Sequence, residues 1–165
     1  MKKLSLILLA GGLLALTSCG GGTPEGAQTQ ELPDPKASMA TVTTIELTAG
    51  DDMKFNAKSF AIPVGQEVTL RLTHTGKMSK SSMGHNVVIL KPGEAVDEYG
   101  IEASKAGDEN YVPAALADKV VAHTELIGGG ENTEIKFTIN EAGEYPFLCS
   151  FPGHYPMMKG IITVK

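Results

Sequence analysis

After residue 41 the chain consists of short runs in which apolar and polar residues alternate, and this period of two constrains the fold more than any other feature. Val68, Leu70 and Leu72 alternate with Glu67, Thr69 and Arg71; Ile135, Phe137 and Ile139 alternate with Lys136 and Thr138; Ile45 and Leu47 flank Glu46. Successive side chains of a strand point to opposite faces, so runs of this kind form strands with one buried face. Further strands are expected at 85–90, 120–124, 143–149 and 160–165. Turn signals at Pro63-Val64-Gly65, Lys91-Pro92-Gly93, Gly128-Gly129-Gly130 and Glu141-Ala142-Gly143 separate them. About seven or eight short strands in one domain predict an all-β sandwich or barrel. Residues 94–119 break the alternation; their Ala, Glu and Lys predict a short helix over 94–106 as an excursion outside the sheets.

The N-terminus carries different signals. Met1, Lys2 and Lys3 supply positive charge, and the apolar run at 4–16 is short for a membrane-spanning helix, so residues 1–18 read as a secretory signal peptide. The following Leu16-Thr17-Ser18-Cys19 resembles a bacterial lipobox, in which the cysteine is lipidated and becomes the first residue of the mature protein. Residues 19–40, rich in Gly, Pro, Thr, Gln and Ala without apolar periodicity, read as the lipidated Cys19 and a flexible tether. The remaining 41–165 is the usual size of one domain. The expected location is the bacterial envelope, facing the periplasm. Gly20 after Cys19 carries no obvious retention signal, which points to the outer membrane. A net charge of −5 with Lys scattered among Asp and Glu leaves no basic face for nucleic acid.

Assigning Cys19 to lipid leaves Cys149 without a disulfide partner, and a lone thiol in an oxidising compartment invites a metal when histidines stand nearby. Residues 149–158 bring together Cys149, His154 and Met158: thiolate, imidazole and thioether within one short segment. Met83-Gly84-His85-Asn86 supplies a second imidazole at the head of an expected strand. Two imidazoles, a soft thiolate and a weak axial thioether form the well-known donor set of blue-copper electron-transfer sites, and the assignment here applies that known pattern. Gly84 leaves room for its own carbonyl to approach the metal. Asn86 is placed to tie its strand to the Cys149 loop by hydrogen bonds, with Ser150 and Phe151 as further residues around the donors.

The segments MGHNVVIL (83–90), CSFPGH (149–154), MKG (158–160), DDMKFN (51–56) and AHTELIGGGE (122–131) resemble the azurin group of the cupredoxin, or type 1 blue-copper, family, over almost all of 41–165. The resemblance implies a Greek-key β-sandwich and one copper with equatorial ligands His85, Cys149 and His154 and distant axial partners Met158 and the Gly84 carbonyl. The chain departs from the family's pattern in lacking its disulfide, in having no Trp, and in the composition of Tyr155-Pro156-Met157.

His74 shares the parity of Val68, Leu70 and Leu72 and so points toward the core; the resemblance suggests a pH-sensitive histidine near the copper that is not a ligand. His123 reads as a surface residue. Met78, Met83, Pro152, Tyr155, Pro156 and Met157 flank the ligand segments and form a candidate apolar patch for brief docking with a redox protein such as a cytochrome or oxidoreductase. The expected function is a single-electron shuttle without a small-molecule substrate. A copper carrier or storage protein is the alternative. A copper enzyme ranks behind both, because only four histidines are present and no further cluster awaits a second copper.

Overall fold

The computed structural model describes residues 39–165. The expected signal peptide, Cys19 and nearly all of the tether lie outside the described residues. Among these residues eight strands form two sheets: β1 (Thr44–Ala49), β2 (Ser59–Ile62), β3 (Glu67–His74), β4 (Val88–Leu90), β5 (Val120–His123), β6 (Asn132–Thr138), β7 (Gly143–Leu148) and β8 (Lys159–Val164). One sheet runs β1-β3-β6, the other β2-β8-β7-β4-β5. The period-two runs carry this architecture. Val68, Leu70, Leu72, Ile45, Leu47 and Phe137 turn one way and bury themselves against Ile89, Phe147 and Ile162 of the other sheet, and against Val87 just before β4, in a single apolar cluster. Burying such side chains contributes about 1.5–3 kcal/mol each.

A second apolar cluster lies on the far face of the larger sheet, where Val88, Leu90 and Leu148 meet Tyr99 and Ala103. Strand β4 is therefore buried on both faces, and its sequence Val88-Ile89-Leu90 is continuously apolar for that reason. The cover is the excursion expected from the sequence: a short helix, α2 (Val96–Ala103), then 3-10 turns at Gly107–Glu109 and Ala114–Lys119. The helix is shorter than 94–106. No side chain caps its N-terminus, while at the other end the Ser104 hydroxyl donates to the Ile101 carbonyl at 2.7 Å.

One expected strand is corrected, and two elements were not expected. The strand expected at 85–90 is regular only from Val88, because the Val87 N–H donates to the Thr124 hydroxyl at 2.9 Å instead of a neighbouring strand's carbonyl. His85 is nevertheless fixed, by a reciprocal pair of 2.9 Å backbone bonds with Ile127. Strand β2 and a four-residue helix, α1 (Lys80–Met83), were not expected; β2 is too short to show alternation, and its strand state comes from parallel pairing with β8.

Candidate metal centre

Residues 149–158 are the connection of the β7–β8 hairpin, whose register pairs Leu148 with Lys159. The Cys149 N–H donates to the Met158 carbonyl at 2.9 Å, extending that ladder by one step and setting the two ends of the loop side by side. Within the loop, His154 N–H donates to Phe151 O at 3.0 Å and Met158 N–H donates to His154 O at 2.9 Å, so local turns carry His154 back over Cys149. His85 arrives from the other segment through its bridge with Ile127. The glycine before it is required by packing: its backbone is ordinary, with φ −67° and ψ 145°, but a Cβ there would stand 2.5 Å from the Lys80 carbonyl and 3.0 Å from Leu126.

The result is a buried group in which ligand atoms of His85, Cys149 and His154 all lie within 4.8 Å of one another. Cys149 Sγ is 3.8 Å from His85 Nδ1, 3.6 Å from His154 Nδ1 and 3.9 Å from the Gly84 carbonyl. A first-row divalent ion such as zinc takes nitrogen at about 2.0 Å and sulfur at about 2.3 Å, so two such ligands about 120° apart stand roughly 3.7 Å from each other. The observed separations fit one shared ion in a trigonal arrangement. Thiolate with two imidazoles is a donor set suited to copper.

The surroundings prepare the donors. His85 Nε2–H donates to the Gly50 carbonyl at 2.9 Å, which leaves the Nδ1 lone pair facing Cys149. Burial lowers the pKa of His85, and lowers that of His154 to about 4, with the nearby histidines adding to the effect, so both rings are neutral as ligation requires. Burial pushes the Cys149 thiol up to about 11, while backbone N–H groups of Asn86 and Phe151 pull it partly back. A thiolate in this pocket therefore calls for a cation beside it. Asn86 bridges the two segments: its Oδ1 accepts the Ser150 N–H and its Nδ2 donates to Ser150 Oγ, both at 2.9 Å. All three side chains of the expected Asn86, Ser150 and Phe151 set are buried.

Met158 is fully buried, while His154, at 3 % exposure, is the one member of the His85, Cys149, His154 and Met158 set that reaches the surface. His74 stacks on His85 with ring centroids 4.6 Å apart. Gly76 N–H donates to its Nδ1 and its Nε2–H donates to the Met83 carbonyl, so both ring nitrogens are satisfied. His123 is exposed, as expected. Of the expected patch, Met78 and Met157 are exposed at 41 % and 52 %, Pro152 and Pro156 are exposed, and Met83 and Tyr155 are half-buried. Sequence reasoning missed Gly50, which acts through a carbonyl and so has no side-chain signature. It also missed Tyr111, which packs edge-on against Phe151 at 5.1 Å from a segment with no recognisable motif.

Comparison with known proteins agrees with this centre. The family profile described as copper binding proteins, plastocyanin/azurin family, matches residues 41–165. The chain is 40% identical over 124 residues to azurin of Alcaligenes faecalis, covering 73% of this chain and 96% of that protein. It is 44% identical over 121 residues to outer membrane protein H.8 of Neisseria meningitidis serogroup B, covering 70% of this chain and 64% of that protein. Among solved structures, auracyanin from Roseiflexus castenholzii superposes with a TM-score of 0.69 at 36% identity, covering 76% of this chain and 99% of that one.

Proposed function

Since the chain belongs to the plastocyanin/azurin family of copper-binding proteins and is a type 1 blue-copper electron-transfer protein, we propose the finer assignment of its residues, partners and location. Copper, when bound, supplies a centre that alternates between Cu(I) and Cu(II) and so takes up or releases one electron. His85, Cys149 and His154 would hold it, with Met158 and the Gly84 carbonyl as weaker partners. The chain's own part is to keep both imidazoles neutral, exclude water and fix the donors so that little rearranges on reduction. Asn86, joining the His85 segment to Ser150, serves that last purpose.

The observation that carries the assignment is the pair of Cys149–histidine separations, 3.6 and 3.8 Å in a buried pocket. Exposure suggests where electrons pass: only the His154 edge reaches solvent among the four side-chain donors. That leaves an edge for contact with another redox protein, which fits an electron carrier. Met78, Met157, Pro152 and Pro156, with half-buried Met83 and Tyr155, offer the apolar surface on which a cytochrome or oxidoreductase docks briefly.

The test is spectroscopic. Protein loaded with Cu(II) should show an intense thiolate-to-copper band in the red, a reversible one-electron wave, and loss of the band in Cys149→Ser. A colourless wild-type protein that nonetheless binds copper tightly would overturn the assignment.

For location we propose export and anchoring through lipid on Cys19, with the domain facing the periplasm and the outer membrane as the site. The lipobox-like 16–19 supports this, as does similarity to a protein named for the outer membrane. Labelled fatty acid should enter the wild type, and Cys19→Ser should lose both label and membrane partition. Wild-type protein that stays unlabelled would end this reading without touching the copper site.

A further inference from the structure

The excursion over 96–119 touches the ligand loop on both sides of His154. Before His154, the Phe151 ring lies 4.7 Å from the His154 ring and is backed edge-on by Tyr111. After it, Tyr155 lies against Gly100 in α2: a Cβ on Gly100 would stand 2.5 Å from Tyr155 Cγ and 2.6 Å from Cδ1. Glycine inside a helix is destabilising relative to alanine, and Gly100 has no left-handed φ to justify it. The closeness of Tyr155 is the physical reason for a glycine there. Tyr111 is anchored as well: Asn110 and Tyr111 both have positive φ, 53° and 63°, a conformation rare for a bulky residue and kept only where the surroundings enforce it.

The sheet explains only the ends of the loop. Cys149 and Met158 continue the β7–β8 ladder, whereas the His154 backbone bonds only within the loop, to Phe151, Met157 and Met158, which leaves the position of its ring unset by the sheet. Something else must hold the middle. We propose that the excursion is a two-point clamp that sets where His154 stands, with Gly100 and Tyr111 as positioning residues acting through Tyr155 and Phe151. This rests on the copper reading above and adds a role for a segment outside both sheets.

The test uses the copper-loaded protein and four variants: Gly100→Ala, Tyr155→Ala, their double, and Tyr111→Leu. The readouts are the visible and EPR spectra, the reduction potential and the rate at which a chelator strips copper. Gly100→Ala and Tyr111→Leu should shift the spectra and weaken copper retention by about 10–100-fold, the usual cost of losing support behind a ligand. Gly100→Ala should add little in the Tyr155→Ala background, because its effect passes through that ring. Ile101→Ala, an exposed change on the same helix, should leave spectra and retention unaltered.

Wild-type spectra and retention in both Gly100→Ala and Tyr111→Leu would overturn the clamp. So would an equal effect of Gly100→Ala with and without Tyr155, or a matching shift from Ile101→Ala. Should Gly100→Ala fail to fold, Tyr155→Ala and Tyr111→Leu decide by the same readouts. A wild type lacking the thiolate-to-copper band would sink the copper reading itself, a result visible before any variant is compared.

Discussion

Asn86 is the residue on which the two ligand segments depend most directly. Replacing it with alanine leaves the buried Ser150 N–H and hydroxyl without their partner, at a cost of about 1–3 kcal/mol for a buried group left unpaired. Asn86→Ala should therefore lower the denaturation midpoint of the metal-free protein and loosen copper retention; an unchanged midpoint would show that the bridge contributes little. Asp51 governs acid sensitivity close by. Its carboxylate accepts N–H bonds from Lys77 at 2.9 Å and Met78 at 3.2 Å, the first being the main reason its pKa lies below the ordinary 3.8. A lowered folded pKa stabilises the fold fully above the unfolded value and loses that contribution as pH falls through the folded one. Wild type should thus melt above Asp51→Ala near neutral pH, with the gap closing below about pH 3.8. A gap that persists in acid would remove the ionised carboxylate from the explanation. Cys149 and His154 could be read from the sequence because they are distinctive side chains in a tight spacing, and His85 because it stands in a short motif of its own. Gly50 and Thr124 could not: one acts through a carbonyl, the other through a hydroxyl replacing a backbone partner, and neither leaves a pattern.

Among the elements, α2 shows most clearly where sequence patterning ends. Its existence was legible from composition, but its bounds and its role were not, since both come from packing on β4 and the ligand loop. Tyr99 in this helix is 2 % exposed, and its hydroxyl has no hydrogen-bond partner among the described residues. Burial pushes its pKa up to about 12, in keeping with a phenol shut away from water. A hydroxyl buried without a partner costs about 1–3 kcal/mol, so Tyr99→Phe should raise stability by roughly 1 kcal/mol or more, measured by urea denaturation. A destabilised variant would mean that the hydroxyl is satisfied after all. The strands followed the opposite course. Strands β3 and β6 were legible because each buries one face, whereas β2 takes its state from β8, which local alternation cannot report.

For the whole molecule, the family profile begins at residue 41, and the described strands and both apolar clusters lie beyond it. Protein trimmed to begin at Met39 should therefore fold, load copper and show the same red band and potential as the full chain. A trimmed protein that aggregates or binds copper differently would give residues 1–38 a structural role. The two-sheet architecture was legible as a class because alternation, turn spacing and length agreed. Which strands share a sheet was not, since β1-β3-β6 joins runs far apart in the chain.

The division of the donors between a bridge at His85 and a hairpin loop beginning at Cys149 also bears on how the chain is assembled. The two residues lie 64 positions apart, so they meet only after a long stretch of chain has been closed and β4 has found β7. A chain in which the β7–β8 hairpin has closed but β4 has not yet docked offers a metal the hairpin's donors alone, and the full set exists only once β4 has found β7. The complete set of three donors is accordingly a late product of folding, and a metal held by all three reports a finished fold.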